Sequence, residues 1–125
     1  MSTNSPPDPR PTVVDEGGTA RVVGQRCTEC AYPLAYEALR CPVCRGELAP
    51  AQFGPTGTVA ASTVLRVRVP GRTPPYAIAY LDLDGGPRVL VHTPGDRALR
   101  PGTSARVVGA TPLGDIAAQS DEESA

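Results

Sequence analysis

The chain has 125 residues, with 13 Gly, 15 Pro, five aromatics and no Trp. So many chain breakers beside so few large side chains exclude a large, well-filled core and leave room for a small β-rich domain helped by some further device. The net charge is −1 and all 12 basic residues are Arg; residues 1–20 carry −2 and residues 113–125 carry −4, while residues 21–112 carry +5.

In chain order, the first segment is residues 1–20. Its run Pro6-Pro7-Asp8-Pro9-Arg10-Pro11 removes backbone donors and forbids helix, so an extended, disordered arm is expected. It has neither the basic start nor the apolar stretch of a secretory signal, and no apolar run in the chain approaches the ~18 residues of a membrane span. The expectation is a cytoplasmic protein, and in that reducing compartment cysteines serve as metal ligands more often than as disulfides.

Residues 21–50 hold all four cysteines. Cys27-Thr28-Glu29-Cys30 and Cys41-Pro42-Val43-Cys44 form a C-x2-C-x10-C-x2-C pattern. Two thiolates two residues apart chelate one ion from a tight turn whose N–H groups point at the sulfurs, and a second such turn completes a tetrahedral shell of four sulfurs. Structural Zn2+ is the expected occupant, with no open position for chemistry. Iron in the same shell is the chemical alternative, and two disulfides would need an oxidising compartment. Pro33 to Leu39 is the one stretch in this segment that could make a helical turn.

Residues 51–112 read as four strands divided by Gly/Pro turns. Thr58 to Val69 alternates, with Val59, Ala61, Thr63, Leu65, Val67 and Val69 on one face and Arg66 and Arg68 on the other. Tyr76 to Leu83 puts Ala77, Ala79, Leu81 and Leu83 on one face and Tyr76, Ile78 and Tyr80 on the other. Asp84-Gly85-Gly86-Pro87 is a hairpin turn, and Arg88 to Thr93 runs back. Thr103 to Ala110 is the last expected strand. The repeated Arg21-Val22-Val23-Gly24 and Arg106-Val107-Val108-Gly109 read as two short strands ended by Gly. Residues 113–125 are expected to be an acidic, flexible tail.

Catalytic residues are not apparent. His92 has no second His, Lys or spare Cys beside it, and it reads as a surface residue at a strand end. Asp82 and Asp84 read as turn formers, and no nucleophile elbow, P-loop or dinucleotide fingerprint is present.

A four-cysteine ribbon followed at once by compact strands resembles the DUF35 family of zinc-ribbon plus OB-fold proteins. The resemblance spans about residues 21–110. It is carried by Gly24-Gln25-Arg26-Cys27-Thr28-Glu29-Cys30, Leu39-Arg40-Cys41-Pro42-Val43-Cys44, Gly57-Thr58-Val59, Pro75 through Leu83, Arg88-Val89-Leu90-Val91, and Leu99-Arg100-Pro101-Gly102 ahead of the closing strand. Two departures stand out: Ala31 and Arg45 occupy positions where the family usually has Gly, and the start is short and Pro-rich. The resemblance implies a mostly β protein with a zinc ribbon over 21–50, a small or partly open OB barrel over 51–112 and disordered arms. It also implies a non-catalytic accessory subunit that docks on a thiolase-like or MaoC-like hydratase acyl-CoA enzyme and helps form its CoA channel. Arg66, Arg68, Arg72 and Arg88 are the candidates for CoA phosphates, unless each is merely part of a solvated face. The alternative on the same fold is single-stranded nucleic-acid binding, with Tyr76 and Tyr80 stacking bases; five aromatics, no Lys and a pI of about 5.8 speak against it.

Overall fold

The computed structural model describes residues 10–121, and they form nine strands and no helix. The strands are β1 (Thr12–Glu16), β2 (Thr19–Cys27), β3 (Pro33–Leu34), β4 (Leu48–Phe53), β5 (Thr56–Leu65), β6 (Tyr76–Leu83), β7 (Arg88–Thr93), β8 (Ser104–Ala110) and β9 (Ile116–Ser120).

The first sheet is organised around β2. β4 pairs antiparallel with Val22 to Cys27, β1 pairs with Thr19 to Val23, and β3 pairs with Gln25 and Arg26. A strand has two edges, so β4 takes one and β1 and β3 share the other end to end. Gly24 sits where that shared edge passes from β1 to β3. A β-carbon there would lie 1.9 Å from the Leu34 carbonyl oxygen, so only a residue without one admits this approach.

The second sheet is a closed barrel in the order β5-β6-β7-β9-β8. All neighbours are antiparallel except β7 and β9, which run parallel through Val91–Ile116 and His92–Ala117. Five strands with a single parallel closure form an OB-type barrel. β6 alternates as its sequence dictates, with Ala77, Ala79, Leu81 and Leu83 buried, and β7 does likewise with Val89, Val91 and Thr93.

Several expectations need correction. In β5 the alternation changes phase, because a β-bulge between Val59 and Ala61 adds a residue to the strand. Val59 is buried as expected, but beyond the bulge Ala61 and Thr63 face out while Ala60, Ser62 and Val64 turn inward. The strand ends at Leu65, so Arg66 to Val69 lie in the following loop. Part of what composition marks as arms is strand: Thr12–Glu16 pairs with β2, and Ile116–Ser120 closes the barrel with Ile116, Ala118 and Ser120 buried. The barrel is therefore closed and not partly open. Residues 1–9 and 122–125 of the expected arms lie outside the described residues. The two Arg-Val-Val-Gly stretches fall within β2 and β8, and both strands run on through the Gly. Pro33–Leu34 is strand, not a helical turn.

The two sheets share one core. Ala20, Val22 and Phe53 of the first pack in the same cluster as Val59, Leu81, Leu83, Val89, Val91, Val107 and Ile116 of the barrel. The boundary expected at residue 50/51 is thus crossed by β4, whose last residue, Phe53, abuts the β6–β7 turn so closely that a β-carbon on Gly86 would lie 2.9 Å from its ring.

Candidate metal centre

Two tight turns bring the four cysteines together. The first closes with the Ala31 N–H on the Cys27 carbonyl at 3.0 Å and the Cys27 N–H on the Tyr32 carbonyl at 3.0 Å. The second repeats it, with the Arg45 N–H on the Cys41 carbonyl at 2.8 Å and the Cys41 N–H on the Gly46 carbonyl at 3.0 Å. Backbone N–H groups then point at sulfur: Glu29 and Cys30 donate to Cys27 Sγ at 3.3 and 3.4 Å, Val43 to Cys41 Sγ at 3.4 Å, and Gly46 to Cys44 Sγ at 3.4 Å. The Cys27–Cys44 and Cys30–Cys41 sulfurs are 3.4 and 3.6 Å apart, and all four lie within 4.8 Å of one another.

That packing fits one ion. Four ligands at about 2.3 Å in a tetrahedron place sulfurs about 3.8 Å apart. The acidities point the same way. The Cys30 N–H, with the Glu29 N–H and the neighbouring sulfurs, outweighs burial and lowers Cys27 to about 6. Cys44 receives the Gly46 N–H, which lowers it, but Cys27 and Cys30 beside it prevail and push it up to about 12. Four such thiols do not all ionise together without a cation between them. Cys27 and Cys41 are buried and Cys30 and Cys44 exposed, so the cluster sits at the surface with its inner half sealed.

Each turn places a non-glycine residue in the left-handed region, Ala31 at φ 67° and Arg45 at φ 66°. These are the two positions where the sequence departs from the expected Gly. Left-handed backbone costs an L-residue roughly 1–2 kcal/mol, partly offset by the greater freedom of an unfolded glycine. Ala31→Gly and Arg45→Gly should therefore each stabilise the protein, by up to about 1 kcal/mol, in thermal or urea unfolding. A loss of stability in both would show that the turns are not strained.

Arg26, next to the first cysteine, ties the cluster to the barrel. Its guanidinium donates to the Ala31 carbonyl at 2.8 Å and to the Gly85 carbonyl of the β6–β7 turn at 2.5 Å, and it lies 5.2 Å over the Phe53 ring.

The other sequence candidates are scattered. Arg88 is held by Asp82 through bonds of 2.6 and 3.1 Å, and Asp82 is thereby held below the usual carboxylate range. Asp84 accepts from the Thr56 hydroxyl at 2.7 Å, as a turn former should. Tyr80 is half exposed, whereas Tyr76 is partly buried between Arg72 and His92. His92 is not the surface residue its strand-end position suggests; its side chain is 14% exposed and stacks on Tyr76 at 6.0 Å.

His92 belongs to a network the sequence does not announce. Asp115 receives Arg72, Arg10 at 3.2 Å and approaches His92 Nε2 at 3.6 Å, while Arg72 also reaches Thr111. Burial holds the His92 imidazole below the usual histidine range, Arg72 adds to this, and Asp115 opposes it. As pH falls through about 6.5 the unfolded chain takes up this proton before the folded one, so the folded state loses stability until its own lower pKa is passed. His92→Gln should flatten the fall in stability between pH 7 and 5 relative to the parent. Parallel curves would mean that His92 does not titrate differently on folding.

The geometry defines a class: a β protein in which a four-cysteine ribbon, arranged as a metal site would be, is built onto a closed OB barrel through a common core. Residues 51–110 match the family described as the ChsH2 C-terminal OB-fold domain. The match covers the barrel segment alone, which is thus similar to that OB-fold domain. Among solved structures it is similar to a chain of an Ltp2-ChsH2(DUF35) aldolase, at 22% sequence identity and a TM-score of 0.65, covering 80% of this chain and 84% of that one. At that identity the likeness shows the fold. No curated protein matches the chain.

Proposed function

We propose that this chain is a non-catalytic accessory subunit that docks on a thiolase-like, or alternatively a MaoC-like hydratase, acyl-CoA enzyme and helps form its CoA channel. The observation that carries the reading is the combination of a four-cysteine ribbon with a barrel that matches the ChsH2 OB-fold domain. The similar solved structure is named as a DUF35 protein together with Ltp2 and as an aldolase, which is the setting an accessory subunit would have. In this reading the ion is Zn2+, held by Cys27, Cys30, Cys41 and Cys44 for structure alone. Four sulfur ligands leave no position for substrate or water.

Two further features support it. The outer face of β5–β6–β7 presents Ala61, Thr63, Ile78, Tyr80 and Leu90 around a shallow pocket of about 200 Å³. That is below the usual size of a small-molecule site and suits an apolar side chain of a partner. The one histidine is engaged with Tyr76 and Asp115. The nucleic-acid alternative gains no support from the β6 pair, since the Tyr76 ring is taken up between Arg72 and His92 and of the two only Tyr80 is left open to stack.

The test is co-expression with a thiolase-fold acyl-CoA enzyme encoded beside this chain, followed by size-exclusion chromatography and assay with and without it. Co-elution and a dependence of activity on this chain are expected, with no turnover by the chain alone. Separate elution at micromolar concentration with unchanged enzyme activity would overturn the reading. Tight binding of a single-stranded oligonucleotide at about 0.15 M salt would favour the alternative instead.

A further inference from the structure

The loop joining β5 to β6, residues 66–75, carries Arg66, Arg68 and Arg72 and no acidic residue, in a chain whose net charge is −1. Its tip is fixed in place. Val69-Pro70-Gly71-Arg72 forms a turn closed by the Arg72 N–H on the Val69 carbonyl at 3.0 Å, with Gly71 at φ 84°, as a Pro-Gly turn of the second type requires. Gly71 packs so near Leu113 that a β-carbon would lie 3.1 Å from it. The Arg72 guanidinium binds Asp115 and Thr111 and covers Tyr76.

The first half of the loop is different. Arg66 and Arg68 are exposed, and neither side chain meets a hydrogen-bond or ion-pair partner among the described residues. Between and after them stand Val67, 62% exposed, and Val69, 39% exposed. Two guanidinium groups and two apolar side chains thus alternate within four residues, on a loop whose tip is anchored to the barrel. A loop that is merely solvated gains nothing from open valines, and a lone phosphate would engage the arginines and leave the valines in water. Cations interleaved with apolar groups match a protein surface that is acidic and partly apolar.

We propose that Arg66 to Val69 is the strip by which this chain docks on an acidic, partly apolar surface of its partner enzyme. This rests on the accessory reading above. The arginines steer the encounter and the valines hold the contact. The anchored tip keeps the strip presented before the partner arrives, so little ordering is needed on binding.

The experiment uses the full chain and the acyl-CoA enzyme with which it co-elutes in the test above, with association followed by surface plasmon resonance. Arg66→Glu/Arg68→Glu is compared with Arg97→Glu/Arg100→Glu, which makes the same charge change at other exposed arginines. The first pair should weaken binding by about tenfold or more, mainly through the association rate, with the difference from the parent shrinking at high salt. The second pair should change it far less. Val67→Ser should instead speed dissociation several-fold. Thermal midpoints near the parent's would show that the variants are folded. Equal affinity of the parent and the Arg66/Arg68 variant, or equal weakening by both pairs, would overturn this inference and leave the accessory reading standing. Saturable binding of CoA to the free chain, lost in the Arg66/Arg68 variant, would overturn it by making the strip a phosphate site. No complex with the parent chain would overturn both readings together.

Discussion

The purified protein should carry close to one equivalent of zinc, and Cys41→Ser should lose it together with several kcal/mol of stability. Structural zinc contributes an apparent ~10–16 kcal/mol of binding energy that the fold otherwise lacks, so the loss of one ligand in four is a large fraction of a small protein's margin. Cys41 is the informative position because it is 1% exposed. A serine there weakens the site and also leaves a buried hydroxyl that must find a partner. Cys44, on the exposed half of the cluster, should be less costly to replace. A chelator should reproduce the effect on the parent chain. Because Ala20, Val22 and Phe53 belong to the same core as the barrel, the damage should extend beyond the ribbon and lower the midpoint of the whole unfolding transition. Elemental analysis and thermal unfolding with and without chelator decide it. Two disulfides and no metal, or a Cys41→Ser protein with the parent's midpoint, would refute the site.

Gly24→Ala should cost about 3 kcal/mol, a large effect for one methyl group. The backbone at Gly24 is not in the left-handed region, so the cost is one of contact alone. The added β-carbon would meet the Leu34 carbonyl oxygen at 1.9 Å and the Phe53 ring at 3.0 Å. Neither neighbour is free to give way: Leu34 is 2% exposed in a two-residue strand, and Phe53 is 3% exposed between the two sheets. Gly18→Ala is the control. It has open space around it, so only its φ of 83° is charged against it, at roughly 1–2 kcal/mol. Urea denaturation of both variants separates the two causes, and a Gly24→Ala protein no less stable than Gly18→Ala would contradict the close approach.

How much of this could be read from the residues depended on how local the cause was. The four cysteines declare themselves by spacing, because each pair and its N–H donors lie within one turn of chain. β6 and β7 are legible because Ala77, Ala79, Leu81, Leu83, Val89 and Val91 alternate without interruption and a Gly-Gly turn joins them. β5 misleads, since its residues alternate well but the bulge at Val59/Ala61 reverses which set faces inward. That bulge answers to pairing with β6 and β8 and to nothing local. β9 is hidden by composition: Ile116-Ala117-Ala118-Gln119-Ser120 has one large apolar residue and sits next to acids, yet its small side chains suit a barrel closure between β7 and β8. The Asp115 network is hidden for another reason. Its members, Arg10, Arg72, His92 and Asp115, come from four separate stretches of chain and share no motif.

The joint between the sheets bears on how the molecule can be dissected. A fragment cut at the family boundary, starting at residue 51, would keep Phe53 but lose β2, the strand against which β4 pairs along its whole length. It would uncover the part of the core that Ala20 and Val22 fill, and release the β6–β7 turn that Arg26 holds at Gly85. The ribbon is in that sense the stopper of the barrel and not an appendage to it. Excised alone, the barrel should be a poor reagent, prone to associate through its opened end, whereas the ribbon and barrel together should travel intact between fusion partners.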